Sequence, residues 1–259
     1  MLISIVTVNF NNIKGLKRTF ASIQEQDATL YEHIVIDGGS DDGSVEFIKS
    51  NANCFTFWVS EKDRGVYHAM NKGIEKCSGA YIYFLNSGDT FYAKNVISTF
   101  VKSKPFEDIV YGNINVKLLN GLDKIREMPN KLSIATSLTF TITHQAIFHK
   151  KTVFDNDCYS ESYKIISDWI FYNEAIIIKK ASYKHINLVI ANFESGGLSS
   201  NVATAEQERE MYLKNKFSPY FYDVLNEYNA LQIQYKNMSN LFFVRWYFQF
   251  KSFIKKSVK

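Results

Sequence analysis

The sequence predicts an α/β fold: a mixed, mainly parallel β-sheet flanked by helices, followed by a helical C-terminal extension. Two observations predict the sheet. Short apolar runs alternate with segments of helical periodicity through residues 1–92, an order typical of parallel strands joined by right-handed crossovers. A polar or glycine-rich turn follows each of these runs. A third observation predicts the extension, because helical periodicity replaces the strand pattern from Thr204 onward.

Four strands and three helices are predicted in the first 92 residues. The strands are expected at 2–8, 33–36, 56–60 and 81–85, and the helices at 13–26, 45–51 and 67–76. In the first helix, Ile13, Leu16, Phe20 and Ile23 recur at the spacing of one helix face. The fourth strand begins at Tyr81 and is apolar and aromatic throughout, so we expect it to be buried on both faces.

The second half of the chain is less regular. We expect a helix at 95–102, a strand at 108–113, a hairpin pairing 114–119 with 124–128, a strand at 143–148, a helix ending at 178 and a strand pair over 181–193. Asn120-Gly121 favours the tight turn of the hairpin, and Ser167 or Asp168 suits the N-cap of the helix. The predicted organisation is a domain over 1–203, with halves 1–92 and 93–203, and a helical extension over 204–259.

Composition narrows the class of protein. The chain has 259 residues, of which 46% are hydrophobic, enough for a sizeable core and too many for a disordered chain. Its net charge of +4 does not argue for a nucleic-acid partner. Three widely spaced cysteines without a C-x-x-C motif indicate reduced thiols in the cytoplasm. The apolar N-terminus indicates a strand rather than a signal peptide, and no run reaches the ~18 residues of a membrane span.

Polar loops follow all four predicted parallel strands. They contain Asn9, Asp37, Asp63 and the segment 86–89. Because the carboxyl ends of parallel strands meet at one edge of a sheet, these side chains are expected to converge where α/β proteins bind ligands. Asp89, delivered by the buried fourth strand, suits a hard divalent cation, which prefers oxygen ligands. The alternative is an ordinary turn, since Asn, Ser, Gly and Asp are common turn residues.

The last segment combines aromatic and basic residues. Residues 241–251 are densely aromatic, and Lys255, Lys256 and Lys259 follow. Such a helix suits a membrane interface, where its cationic end would meet anionic headgroups. Packing on the domain or on the partner of a homodimer is an equal alternative.

Five motifs in chain order resemble glycosyltransferase family 2, whose members have a GT-A fold. They are Ser4–Asn11, Val35–Ser44, Ser60–Tyr67, Ala69–Ile74 and Phe84–Asp89. His144-Gln145, Ser167-Asp168-Trp169 and Gly196-Gly197-Leu198-Ser199 also resemble the family. The resemblance covers residues 2–200 and leaves the C-terminal helices outside. It implies a GT-A type, Rossmann-like sheet and the transfer of a sugar from a nucleotide donor to a hydroxyl, with inversion at the anomeric carbon.

The resemblance also implies site residues on the donor side. Asp89 matches the metal-binding position of the D-x-D motif and would hold Mn²⁺ or Mg²⁺, whereas Asn86 replaces the first aspartate and would contact ribose or metal. The positions implied to bind the nucleotide sugar are Thr7, Asn9, Asp37, Asp63, Lys72, Asn86 and Ser87. Many relatives carry two aspartates where this chain has Asp37-Gly38, so one base contact is absent, and uridine is the expected nucleoside. The alternative for Lys72 is an exposed helix lysine.

On the acceptor side, the resemblance implies that Asp168 is the general base, because inversion needs a group that takes the proton of the attacking hydroxyl. His144 and Trp169 are expected in the acceptor cleft, although a structural role for His144 is equally open. His68 stands where relatives often carry Asp. The expected acceptor is a glycan or a polyprenyl-linked glycan of bacterial surface polysaccharide synthesis, reached from the cytoplasm or from the inner face of the membrane.

Two alternatives stay open at this point. A nucleotidyltransferase can share a similar core, but it would need a glycine-rich, basic loop after the first strand, and residues 9–12 offer none. A catalytically silent protein that binds sugar nucleotides is favoured if nucleotide binds without turnover, and the incomplete D-x-D motif keeps this alternative open.

Overall fold

A computed structural model describes residues 1–117, 123–194 and 201–239 of the chain. The chain divides into two compact units, Met1–Glu208 and Arg209–Lys259. The first unit contains a nine-stranded sheet with strand order β3-β2-β1-β4-β8-β6-β9-β5, and β7 pairs with β6. The predicted mixed sheet flanked by helices is therefore confirmed.

The strands and helices alternate most regularly in the first half. The strands are β1 Ile3–Asn9, β2 Tyr31–Asp37, β3 Phe57–Ser60, β4 Tyr81–Phe84, β5 Thr90–Phe91, β6 Ile109–Lys117, β7 Asp123–Arg126, β8 Ile147–Lys150 and β9 Tyr183–Glu194. The helices are α1 Ile13–Gln24, α2 Ser44–Ser50, α3 Val66–Lys76, α4 Val96–Lys102, α5 Ile134–Thr139, α6 Ser167–Asn173, α7 Val202–Lys216 and α8 Pro219–Ser239.

Strands β1 to β4 pair in parallel and carry the core of the first half. β1 lies between β2 and β4, and β3 pairs with the outer side of β2. Every side chain of β4 is buried, as expected for a strand covered on both faces. Tyr83 packs on one face with Ile5 and Phe148, whereas Phe84 packs on the other with Val6 and Met70. This parallel order brings the ends of β1, β2, β3 and β4 to one edge of the sheet.

The second half differs from the expectation in three places. The predicted strand at 143–148 begins as a 3₁₀ turn, His144–Ala146, and only Ile147–Lys150 is extended. In this turn the His144 side chain contacts Asp168 and the Gln145 side chain contacts Asp89, so the segment is held by side-chain contacts. The predicted strand pair over 181–193 is one continuous strand, β9, which pairs in parallel with β6 across two register irregularities. These irregularities absorb the bend that a turn would otherwise make.

The helix predicted to end at 178 also differs. Helix α6 ends at Asn173 and continues as a π-helical turn, Glu174–Ile178. Its N-cap residue is Ile166, so neither Ser167 nor Asp168 caps it. Asp168 is the second residue of α6, and its carboxylate accepts a hydrogen bond from the Trp169 N–H while it also contacts Tyr67 and His144 of other elements.

The predicted hairpin and extension are partly described. β6 and β7 pair antiparallel, with Lys117 opposite Asp123, and their predicted turn at Asn120-Gly121 lies outside the described residues. Helix α8 begins at Pro219, which fits the first position of a helix. None of the described helices is long and apolar enough to cross a membrane. The predicted interface segment, 241–259, and the Gly196–Ser199 motif also lie outside the described residues.

Candidate active site

A cleft of about 850 Å³ opens at the carboxyl edge of the parallel strands. The loops after β1 to β4 form one wall, and the segments around His144 and Asp168 form the other. Among the predicted site residues, the cleft is lined by Asn9, Asp63, Asn86, Ser87, Asp89, His144 and Asp168, but not by Thr7, Asp37, Lys72 or Trp169. The convergence expected from the strand order is therefore present for most of the predicted side chains.

Asp37 lies fully buried behind the cleft and braces the loop that follows β2. Its carboxylate accepts hydrogen bonds from Ser40 Oγ and Ser60 Oγ, each at 2.6 Å, and from Asn9 Nδ2 at 2.7 Å. Burial works to raise its pKa, but these hydrogen bonds outweigh it and hold the pKa below the usual range. Because these partners occupy the carboxylate, Asp37 orients Asn9 rather than lining the predicted nucleotide pocket.

Thr7 is also fully buried and does not line the cleft. Thr7 shares a face of β1 with Asn9 but lies two residues further from the end of the strand, and its hydroxyl lies 3.0 Å from Nε2 of His33. Burial lowers the pKa of His33 to about 3. The pair is therefore a neutral contact inside the domain, and the predicted nucleotide contact of Thr7 is corrected to a structural one.

Asp63 is a carboxylate of the cleft wall, in the loop that follows β3. Its Oδ1 lies 2.5 Å from Nζ of Lys72 and 3.0 Å from Nδ1 of His68. Partial burial works to lower the pKa of Lys72, but the contacts to Asp63 and Glu61 raise it, so the lysine stays charged. Lys72 is thus not an exposed lysine, because it forms ion pairs with Asp63 and Glu61. It also does not line the cleft.

Phe10 is a cleft residue that the sequence interpretation did not single out. It lies in the turn after β1, lines the cleft, and has 65% of its surface exposed. A Cβ at Gly38 would lie 3.1 Å from the Phe10 ring and 3.3 Å from Asp63 Oδ2. A side chain at residue 38 would therefore crowd both Phe10 and Asp63. The sequence feature that could have indicated Phe10 as a site residue is its position as an aromatic residue within the polar turn 9–12.

The turn after β4 presents Asn86 and Asp89 to the cleft. Gly88 has a φ of +113°, a conformation that favours glycine, and its N–H donates to Thr19 Oγ1 at 3.0 Å. Oδ2 of Asp89 accepts a hydrogen bond of 2.7 Å from Gln145 Nε2. Burial raises the pKa of Asp89, although the Gln145 hydrogen bond opposes this shift. Thr19 and Gln145, which hold the turn, were not predicted as part of the site.

The side chains of this turn fit a hard divalent cation. Oδ1 of Asn86 is buried and has no hydrogen-bond partner, and an amide oxygen without a donor is a natural ligand for such an ion. Together with the Asp89 carboxylate, it provides two oxygen ligands on one wall. Within the described ranges, no group of three or more His, Cys, Asp or Glu side chains forms a complete metal cage, so further ligands would come from water or a bound substrate.

On the opposite wall, the Asp168 carboxylate accepts a hydrogen bond from the Trp169 N–H at 2.8 Å and contacts two side chains. Its Oδ2 lies 3.1 Å from Nδ1 of His144, and its Oδ1 lies 3.0 Å from the Tyr67 hydroxyl. Nε2 of the same histidine lies 3.2 Å from Nδ2 of Asn86. Because an amide nitrogen only donates, Nε2 accepts, and the ring proton is on Nδ1, where it is donated to Asp168. One imidazole therefore connects the carboxylate of one wall to the turn of the other.

Trp169 does not belong to this wall. It follows Asp168 on α6, but successive helix residues point about 100° apart, and Trp169 is only 1% exposed and lies in the interior. Its predicted place in the acceptor cleft is therefore wrong. Tyr67, which lines the cleft in its stead, lies within the motif Ser60–Tyr67 and was not assigned a role.

Comparison with known proteins places these features in a family. The sequence matches the model of Glycosyl transferase family 2 over residues 4–167. An uncharacterised glycosyltransferase of Mycobacterium tuberculosis H37Rv is 32% identical over 204 residues, covering 77% of each chain. A PGL/p-HBAD biosynthesis glycosyltransferase of the same strain is 26% identical over 224 residues, covering 79% of this chain and 82% of the relative.

Solved structures share the fold at low sequence identity. Staphylococcus aureus TarS 1-349 in complex with UDP-GlcNAc superposes with a TM-score of 0.63 at 16% identity, covering 78% of this chain and 61% of that chain. The mannosyltransferase PcManGT from Pyrobaculum calidifontis, in complex with GDP-Man and Mn²⁺, gives a TM-score of 0.59 at 14% identity, covering 95% of this chain and 82% of that chain. The present chain thus spans less than two thirds of the TarS fragment.

Proposed function

This chain belongs to glycosyltransferase family 2, and on that premise we propose that it is an inverting transferase that moves a sugar from a nucleotide-sugar donor to a hydroxyl of an acceptor. The observation that carries the proposal is that functional side chains face each other across the cleft. One wall has a turn with the Asp89 carboxylate and a free Asn86 oxygen, and the other has a carboxylate, Asp168, linked to that turn through one imidazole.

The nucleoside is proposed to bind at the end of the cleft formed by Asn9, Phe10 and Asp63, with Ser87 and Asn86 closer to the sugar. The exposed Phe10 ring offers a flat apolar surface on which a base can stack, and Asp63 offers an acceptor for a base or ribose donor. Lys72, Asp37 and Thr7 act from behind this pocket. UDP-sugars are the first expectation: TarS has been solved with UDP-GlcNAc, although PcManGT was solved with GDP-Man.

Asp168 is proposed to be the general base. Inversion at the anomeric carbon requires that the acceptor hydroxyl loses its proton as the new bond forms on the face opposite the leaving group. The Nδ1–H of His144 fixes one carboxylate oxygen, and Tyr67 contacts the other. Burial raises the pKa of Tyr67 well above its usual value, and the charge of Asp168 adds to this. The phenol therefore stays protonated, and its single proton is shared between the Ile165 carbonyl and the Asp168 carboxylate.

Asp89 and the amide oxygen of Asn86 would hold Mn²⁺ or Mg²⁺. When bound, the cation would supply positive charge against the negative charge that builds on the leaving diphosphate. PcManGT, which shares the fold, was solved with Mn²⁺. Gln145 holds one oxygen of Asp89 and thereby leaves the carboxylate in a single orientation.

The proposed acceptor is a glycan or a polyprenyl-linked glycan of bacterial surface polysaccharide synthesis, met on the cytoplasmic side of the membrane. One relative carries the name of a PGL/p-HBAD biosynthesis glycosyltransferase, which is compatible with a lipid-linked acceptor. Membrane contact through the segment 241–259, and a homodimer, belong to the same proposal and rest on the sequence alone.

The function is tested by a thermal-shift screen of UDP-Glc, UDP-GlcNAc, UDP-Gal and GDP-Man, each with and without MnCl₂. A ligand that binds only the folded state raises the melting temperature by mass action, so the donor is expected to give a shift that grows with MnCl₂. Release of the nucleoside diphosphate is then measured with the best donor. Binding without turnover would favour the silent binding protein, and no shift with any nucleotide sugar would refute the proposal.

A further inference from the structure

Glu208, on α7, holds the backbone that precedes the proposed base. Its Oε1 accepts a hydrogen bond of 2.7 Å from the Lys164 N–H, and its Oε2 accepts from the Ile165 N–H at 3.0 Å and the Ile166 N–H at 3.3 Å. The segment 164–166 belongs to no helix or strand. Its three N–H groups therefore lack the backbone acceptors of regular secondary structure, and the Glu208 carboxylate accepts their hydrogen bonds instead. Both Glu208 and this segment belong to the first compact unit.

We propose that Glu208 is a positioning residue that orients Asp168 through the backbone of residues 164–166 and through Tyr67. The proposal rests on the function assigned to Asp168 above. Glu208 lies outside residues 4–167, the part of the chain that the family model matches. The proposal therefore gives a residue of the C-terminal helices a role in the reaction.

One peptide unit carries the coupling. The N–H of Ile166 and the carbonyl of Ile165 belong to the same planar group. Glu208 accepts from the N–H end at 3.3 Å, whereas the Tyr67 hydroxyl donates to the carbonyl end at 2.5 Å. Hydrogen bonds at the two ends of an amide polarise each other. Removal of the carboxylate therefore frees the plane to rotate and weakens the contact that Tyr67 makes with it.

Tyr67 passes this constraint to the base. The same hydroxyl lies 3.0 Å from Oδ1 of Asp168, so its position depends jointly on the Ile165 carbonyl and on the carboxylate. Lys164 and Ile165 also line the cleft beside Asp168. A shift of this segment would therefore move the base relative to the acceptor, while the turn 86–89 on the opposite wall stays in place.

Variants of Glu208 are expected to distinguish a positioning role from a purely structural one. Misplacement of a catalytic group by about 1 Å lowers the rate by up to roughly 100-fold, so Glu208→Ala is expected to lower kcat for UDP release by roughly 10- to 100-fold, with the affinity for UDP in MnCl₂ unchanged. Glu208→Gln keeps one acceptor oxygen and is expected to lose less. Glu206→Gln, an exposed glutamate of the same helix, is the matched control and is expected to behave as wild type.

The measurements are kcat for release of UDP from the UDP-sugar that gives the largest thermal shift, UDP affinity by calorimetry, and hydrogen exchange of the amides of 164–166. All are made well below the melting temperature of each variant. Faster exchange at these amides together with a loss in kcat alone supports the role. Unchanged exchange in Glu208→Ala, wild-type kcat in that variant, or equal losses in kcat and in UDP affinity would overturn it. A wild type without turnover would instead refute the proposed function itself.

Discussion

Nδ1 of His144 lies 3.1 Å from Oδ2 of Asp168, and the opposite nitrogen of that ring contacts Asn86. The two residues come from separate segments of the acceptor half, a 3₁₀ turn and the first turn of α6. Their contact holds one oxygen of Asp168 and connects the proposed base, through the imidazole, to Asn86 in the turn after β4.

Asp168→Asn is expected to abolish most turnover. The amide keeps the size of the side chain but cannot take a proton, and loss of a general base lowers rates by roughly 10²- to 10⁴-fold. Release of UDP from the identified UDP-sugar measures the effect, and calorimetric titration with UDP in MnCl₂ controls for an intact donor pocket. A variant within about threefold of wild type would show that another group accepts the proton.

His144→Ala is expected to lower kcat less than Asp168→Asn, by roughly 10-fold, because the base stays but loses a charge-assisted hydrogen bond. Combination with Asp168→Asn should add nothing further, since a positioning contact has no effect once its target is inactive. The double-mutant cycle is measured on kcat. Fully additive losses would mean that His144 acts on the acceptor or the donor by itself.

Asn86→Asp is expected to tighten binding of Mn²⁺ by roughly 10-fold, since an added carboxylate raises the charge of the oxygen ligand set. Without metal, the new charge lies near the buried Asp89 and should lower the melting temperature through repulsion between like charges. Thermal shifts over a MnCl₂ titration in the presence of UDP report both effects. Asp89→Asn is the opposite control and should lose the metal dependence. Equal Mn²⁺ affinity in all three proteins would place the cation elsewhere.

Gly38→Asp is expected to weaken UDP binding by roughly 10-fold rather than to restore a missing base contact. Its Cβ would lie 3.1 Å from the Phe10 ring, and its charge would face Asp63. Gly38→Ala carries the steric part alone and should show a smaller loss. Tighter binding by the aspartate variant, measured by calorimetry, would instead indicate that a second carboxylate can contact the base.

The stability of the domain is expected to depend on Asp37 at acid pH. Hydrogen bonds hold its pKa in the folded state below the usual value, in spite of its burial. Its contribution to the free energy of unfolding is therefore complete above the unfolded pKa of about 4, and it is lost as pH falls through the lower folded pKa. Asp37→Asn should destabilise the protein by about 2 kcal/mol at pH 7, with a gap to wild type that narrows below pH about 4. Urea unfolding at several pH values measures it. A gap that is constant with pH would mean that the carboxylate charge is not what stabilises the loop.

The amino-acid pattern was enough to predict that the first four strands pair in parallel and that their loops meet at one edge of the sheet. Apolar runs separated by amphipathic helices leave parallel pairing as the simplest arrangement, and Asn9, Asp63 and Asp89 follow from it because each stands directly at or after a strand end. The resemblance added Asp168, which lies in the second half, where no regular alternation points to a site.

Which of these side chains reach the cleft, and which contacts hold them, depends on how distant segments pack together. Thr7 and Asp37 were both predicted to contact the nucleotide sugar, yet both are fully buried and hydrogen-bonded inside the domain. Tyr67, Gln145 and Glu208 touch Asp168, Asp89 and the segment 164–166 from positions 101, 56 and 42 to 44 residues away. Periodicity reports which face of an element a residue occupies, but contacts between distant segments depend on how the elements pack, and no local pattern carries that information.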